Sequence, residues 1–265
     1  MSQSNSKSAD TLRQGLVLLA VIATAVFNGF SQSLPIGGRT SAEISNQYTT
    51  FFTPANYAFA IWGVIYLLLL AFGIFQALPS QRQNPSIRRI SWLFILSCVL
   101  NCTWIVLFQY DQILPSVFVI VAFLLTLITI YVRLDVGRAK VSTAERLLLH
   151  LPFSVYLGWL SVATIANISV LGVAQNWGDP LGIAASTWAA IMLAVATVLG
   201  MAMALTRRDV AYVLVLVWAF SAIISKQAAT PVVTNTALIA VVVLLMGGAW
   251  SLFSTFRQTM VPGRA

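Results

Sequence analysis

The sequence predicts an all-α integral membrane protein with eight transmembrane helices, and three observations carry that expectation. Apolar residues make up 59% of the 265 positions and charged residues only 8%, which leaves too little polar surface for a soluble fold. Mean hydropathy is +0.88. Apolar runs of about 20 residues, the length that carries a helix across ~30 Å of hydrocarbon, recur between charged or Gly/Pro-rich breaks. They fall at 14–34, 55–78, 90–109, 113–133, 147–171, 181–205, 210–227 and 233–256.

The first run follows Lys7 and Arg13, and its centre, Leu16 to Phe27, has the form of a signal-peptide core. It continues through Asn28, Phe30 and Leu34, so we read it as a span. The second opens at Pro54, where a missing N–H suits the first turn of a helix. The third carries Cys98 and Cys102 four apart on one face, without the partners a zinc site needs, and these read as small buried hydrophobes. The single histidine, His150, starts the fifth and reads as an interfacial hydrogen-bonding residue. The sixth carries Gly182, Ser186, Ala190 and Ala194 at intervals of four, a stripe that lets another helix come close. The seventh ends at Lys226, near enough to an interface to snorkel. The eighth holds Gly247 and Gly248, expected at a close contact or bend.

Net charge is +8, and its distribution orients the chain. With a cytoplasmic N-terminus, thirteen basic residues fall inside: Lys7, Arg13, Arg82, Arg88, Arg89, Arg133, Arg138, Lys140, Arg146, Arg207, Arg208, Arg257 and Arg264. Only Arg39 and Lys226 remain outside. This asymmetry places both termini in the cytoplasm. The basic residues are scattered over five segments rather than gathered in one stripe, which argues against a nucleic-acid surface. The lipid bilayer is the expected partner, and a bacterial inner membrane the expected location.

Ion-coupled carriers keep a carboxylate, His or Lys near the bilayer midplane. Asp10, Glu43, Asp111, Asp135, Glu145, Asp179 and Asp209 all fall in loops or at span ends, which weighs against proton coupling. No Gly-rich phosphate loop, Ser/His/Asp set or carboxylate pair is visible, so hydrolysis and phosphoryl transfer have no candidate residues.

The spans are rich in tryptophan. Trp92, Trp177 and Trp250 lie near span ends and read as belt residues. Trp62, Trp104, Trp159, Trp188 and Trp218 lie deeper, where an indole N–H must find a partner or line a cavity. After Tyr57, the spacings of Phe59, Trp62 and Tyr66 place three rings on one face of the second span. Asn101 and Trp104 share a face of the third with Phe108, while Trp159, Ala163 and Asn167 are four apart on the fifth. Helix packing explains each feature singly; together they also fit a pocket for a flat, mostly apolar ligand.

The segment Pro54 to Tyr66, then Leu100-Asn101-Cys102-Thr103-Trp104 with Leu107-Phe108, then Trp159 with Ala163-Thr164-Ile165-Ala166-Asn167, resembles helices two, three and five of the TspO/MBR family. That family comprises the tryptophan-rich sensory proteins and the mitochondrial translocator protein. The resemblance implies a TspO-like five-helix bundle over 14–171, often dimeric, with loop 35–53 above a pocket for porphyrin, haem or other apolar molecules. Trp62 and Trp159 would be the two pocket tryptophans, Asn101 and Trp104 the third-helix wall, Tyr57 and Phe59 the upper wall, and Ala163 and Asn167 the fifth-helix side. The interval from Phe59 to Trp62 is one residue shorter than in the family, and Pro152 is displaced toward the N-terminus. Residues 172–256 add three spans between the core and a tail at 257–265, with 1–13 as the other tail.

The expected function is a membrane ligand-binding or sensory protein that requires no cofactor and takes a small apolar ligand, with bound porphyrin or haem implied by the resemblance. A homodimer is implied in the same way. Light-driven porphyrin oxidation also enters through the resemblance alone, since no residue here performs acid/base work. A carrier of a neutral solute and a purely structural membrane protein remain open.

Overall fold

In the computed structural model the backbone of residues 2–260 and the side chains of residues 8–254 are described. Lys7, Arg257 and Arg264, counted in the charge pattern above, and the whole of the tail expected at 257–265 lie outside the described side chains.

Among the described residues the chain is helical throughout, without strands. Helix α1 is Ser2–Ser33 and α2 the short Ser41–Gln47. A 3₁₀ turn, Asn56–Ala60, leads into α3, Ile61–Ala77; α4 is Pro85–Gln109 and α5 Ile113–Arg133. The single turn α6, Thr143–Glu145, runs through a π-helical turn, Arg146–His150, into α7, Leu151–Ala174. Then come α8, Ala185–Arg207; α9, Val210–Lys226; and α10, Pro231–Met260.

Each of the eight apolar runs is a helix. Seven of these are long and apolar enough to cross a membrane. The run expected as a seventh span, α9, has 17 residues, about 25 Å of helix at 1.5 Å per residue, which falls short of ~30 Å. The chain is an integral multi-pass membrane protein, with seven helices of spanning length where eight were expected.

Local chemistry explains the breaks. Pro85 begins α4 behind Asn84, whose side chain accepts from the N–H groups of Ser86 and Ile87. Pro152 has no N–H for the carbonyl four residues back, and the N–H of Leu151 reaches Arg146 O instead, which makes the π-turn at the displaced proline. Arg208 closes α8 in the left-handed conformation at φ 52°, and Asp209 accepts from Tyr212 N to start α9.

Residues 10–13, expected in a tail, are part of α1 and are pinned to α4. Arg88 forms a two-pronged pair with Asp10 at 2.9 and 2.8 Å. Arg13 donates to Ser91 Oγ and Arg82 O, both at 2.8 Å. Asp10 and Arg13 are thereby buried and paired, the condition under which buried charge is tolerated.

The helices form a closed ring and an attached trio. In the ring α1 packs on α3 and α4, α4 on α5, α5 on α7, and α7 back on α3. Phe72, Phe94 and Phe153 meet edge to face at its centre. The trio consists of α8, α9 and α10, mutually packed, and it joins the ring mainly where α9 lies on α7. Gly158 is the contact point, since a Cβ there would meet Val215 Cβ at 3.1 Å.

Two small-residue expectations resolve differently. Gly247 is a close contact, where a Cβ would stand 2.5 Å from Met201 Sδ. The Ser186/Ala190/Ala194 stripe is at best half-buried; the face α8 turns to its neighbours is instead Ala189, Leu193, Ala196, Gly200 and Ala204. Gly182 lies outside α8, because positive φ at Leu181 (61°) and Gly182 (72°) breaks the chain before Ala185. For the same reason Trp188 sits in the first turn of α8 rather than deep in a span.

Candidate ligand pocket

The aromatic stripes converge near the α2 end of the ring. The Trp62 ring stacks on Tyr66 at 5.8 Å between centroids and lies 6.0 Å from Trp104 and 6.2 Å from Trp159. Phe59 meets Trp159 edge to face at 6.1 Å, and Trp104 stacks on Phe108 at 5.3 Å. Between these rings lies a cavity of about 30 Å³. That holds a water or two, far below the roughly 300 Å³ at which small-molecule sites begin.

Six of the nine residues expected at the site line this cavity: Phe59, Trp62, Trp104, Trp159, Ala163 and Asn167. Three do not. Tyr57 is half exposed and packs edge to face on Trp218 at 5.3 Å. Asn101 and Tyr66 belong to a polar cluster on the far side of Trp62. There Asn28 Nδ2 donates to Asn101 Oδ1 at 2.7 Å, and Asn101 Nδ2 donates to Tyr156 OH at 3.0 Å and to Tyr66 OH at 3.2 Å. The Tyr66 hydroxyl donates in turn to Asn28 Oδ1 at 2.5 Å.

Tryptophan N–H groups divide accordingly. Trp104 Nε1 donates to Asn167 Oδ1 at 2.8 Å, and Asn167 Nδ2 is held by Ser116 Oγ at 3.1 Å. Trp188 Nε1 donates to Pro180 O at 3.1 Å and Trp218 Nε1 to Ala58 O at 3.2 Å. Trp159 is different: it is 2% exposed, its ring lines the cavity, and its Nε1 has no hydrogen-bond partner. A buried donor left so costs about 1–3 kcal/mol, and a ligand acceptor or a water would recover it.

Sequence reasoning missed Ser45 and Pro54, which line the cavity from above. Ser45 arrives on α2, a helix too short to show periodicity. Its signal was the capping box Thr40-x-x-Glu43: Glu43 N donates to Thr40 Oγ1 at 3.3 Å and Thr40 N to Glu43 Oε2 at 2.6 Å. That backbone bond, followed by the Thr40 hydroxyl, holds the Glu43 carboxyl below its ordinary range. Tyr48 OH donates to Asp111 Oδ1 at 2.7 Å, tying the loop to the α4–α5 turn, and burial followed by this bond raises its phenol. On the other side α9 holds the loop. Ala55 N donates to Ala222 O at 3.1 Å, Gln227 Nε2 to Thr50 O at 3.1 Å, and Lys226 Nζ to Asn46 Oδ1.

A five-helix ring with converging tryptophans beneath a strapped loop is the arrangement the resemblance implied. A family model described as TSPO-like protein matches residues 14–250. The chain belongs to the TSPO-like protein family. No curated protein and no solved structure matches it. The matched region runs through α8 and α9 and into α10, so in this TSPO-like chain the last three helices lie within the family match. Membership supports a membrane ligand-binding or sensory protein.

Proposed function

We propose that this TSPO-like protein binds a flat, mostly apolar ligand of the tetrapyrrole type in the cavity between α3, α4 and α7, with the loop at residues 35–53 as its cover. The observation that carries this reading is Trp159: a buried, unpartnered N–H in a wall of aromatic rings. The lining has no His, Cys, Met or Tyr, so a haem iron would find no side-chain ligand there, and metal-free porphyrin fits the chemistry better. At about 30 Å³ the cavity does not admit such a molecule with the loop closed, so binding requires the segment carrying Ser45 and Pro54 to lift. Sensing follows from that motion, because the same segment is strapped to α9. The charge asymmetry supports both termini on the cytoplasmic side, and we place the chain in a bacterial inner membrane.

The test is tryptophan-fluorescence quenching of the detergent-purified protein by protoporphyrin IX and haem, beside the variant Trp62→Phe/Trp159→Phe. Saturable quenching by porphyrin that the variant weakens is the expected result. Equal affinity in parent and variant would place the ligand elsewhere. The small cavity favours a second reading, a structural membrane protein whose pocket is filled by its own side chains; absence of saturable quenching by either probe would put it, and a carrier of a neutral solute, ahead of the first.

A further inference from the structure

The face of α7 turned away from the tryptophan cavity borders a larger space. Helices α7 and α8 barely touch, and between them, on the α2 side, lies a cavity of about 720 Å³. Its deep walls are Ile165 and Ile168 on α7 and Ala189 and Met192 on α8. The two cavities share no lining residue, since α7 turns positions 163, 166, 167 and 170 to one and 165, 168, 169 and 172 to the other.

The composition and depth of this space define what fits it. No charged side chain lines it. Polar residues gather at its α2 end, as Thr49, Thr50 and Asn176, where Trp177 and Trp188 form a rim like an interfacial belt. Trp177 lies over Gly172, where a Cβ would meet its ring at 3.1 Å. From Ile165 to the end of α7 is about 14 Å at 1.5 Å per residue, close to half of a ~30 Å hydrocarbon core and therefore one leaflet deep. Both flanking helices are of spanning length, which puts the walls that α7 and α8 supply at the depth of the hydrocarbon. Water has few partners along these walls. No buried side-chain donor or acceptor here is left unpartnered, in contrast to Trp159, so nothing in the slot orients a rigid polar ligand.

We propose that this cavity is a lipid site: an acyl chain of a phospholipid in the leaflet at the α2 end occupies the slot, with its head group at the Trp177 rim. The site is separate from the tryptophan cavity and stands whether or not porphyrin binds. Because Thr50 and Phe52 form part of its wall, the bound chain also braces the loop that covers the first cavity.

Native mass spectrometry of the full chain in mild detergent, titrated with dioleoyl phosphatidylglycerol, tests this. The parent is expected to retain one phospholipid per chain through detergent washing. The filling variant Ser169→Phe/Ala185→Phe should lose it, whereas Leu67→Phe, on the exposed surface of α3, should keep it. Retention by the filling variant equal to the parent, or none by the parent, overturns the proposal. Loss in Trp62→Phe/Trp159→Phe instead would move the lipid to the first cavity and also overturn it. Should the filling variant not fold, phosphatidylcholine brominated on its acyl chain provides the second measurement. It should quench the parent's fluorescence in detergent, with a component missing from Trp177→Phe and from Trp188→Phe. An unchanged quenching profile in both refutes the site.

Discussion

Asn101 shows what one side chain does in this bundle. It is fully buried and joins α1, α3 and α7 by bonding Asn28, Tyr66 and Tyr156. Asn101→Leu would leave the buried Tyr156 OH without a partner, at about 1–3 kcal/mol, and would take one bond each from Asn28 and Tyr66, which keep their bond to each other. We expect a clearly lowered unfolding temperature in detergent, and a smaller loss of about 1 kcal/mol for Tyr156→Phe, which removes only one bond. Equal melting of Asn101→Leu and parent would show the cluster to be energetically idle. Gly37 is a backbone case, because a Cβ there would stand 2.0 Å from Gln109 O, with Gln109 itself accepting from Ile36 N at 3.2 Å. Gly37→Ala should therefore loosen the loop, read as faster proteolysis between residues 35 and 53. Spacing made the convergence of Trp62, Trp104, Trp159 and Asn167 legible, since intervals of three and four fix a shared face. It did not show that Asn101 turns to the polar cluster, because three partners on other helices decide that.

The short helix α2 and the first turns of α3 move, or stay, as their caps and straps dictate. The Glu43 carboxyl is held below its ordinary range by Thr40, so the capping box is fully formed above the unfolded carboxylate pKa and is lost as pH falls through the lowered value. Amide exchange in α2, corrected for its intrinsic pH dependence, should rise at acid pH in the parent, and Glu43→Gln should remove that dependence. A pH-independent α2 in the parent would refute the assignment. On the opposite side, Trp218 Nε1 holds Ala58 O in the 3₁₀ turn from 160 positions away. Trp218→Phe should speed exchange across residues 56–60 and, if the loop is the cover, raise the porphyrin on-rate. The capping box was present in the sequence as Thr40-x-x-Glu43, although nothing in a single helix announces a strap from α9.

The whole molecule is more than a ring with an appendage. Helix α7 is buried on nearly all sides over Pro152–Leu160, and α9 supplies one of those sides at Gly158 and through Tyr212 OH, which donates to Ser161 Oγ at 3.1 Å. A chain truncated after Asn176 should accordingly fail to give monodisperse, cooperatively melting protein in detergent. Recovery of a stable five-helix fragment would show that the trio only decorates the ring. The membrane setting, the helix positions, the family and the aromatic faces were legible in the residues alone, because hydropathy and helical period are local and repeat within one turn or one span. Tertiary structure alone decided which faces meet, that the tryptophan cavity closes to about 30 Å³ while a 720 Å³ slot opens beside it, and that α9 straps the loop. Those outcomes depend on distances between helices set by small residues such as Gly158 and Gly200, and no periodicity within one segment encodes the separation between two.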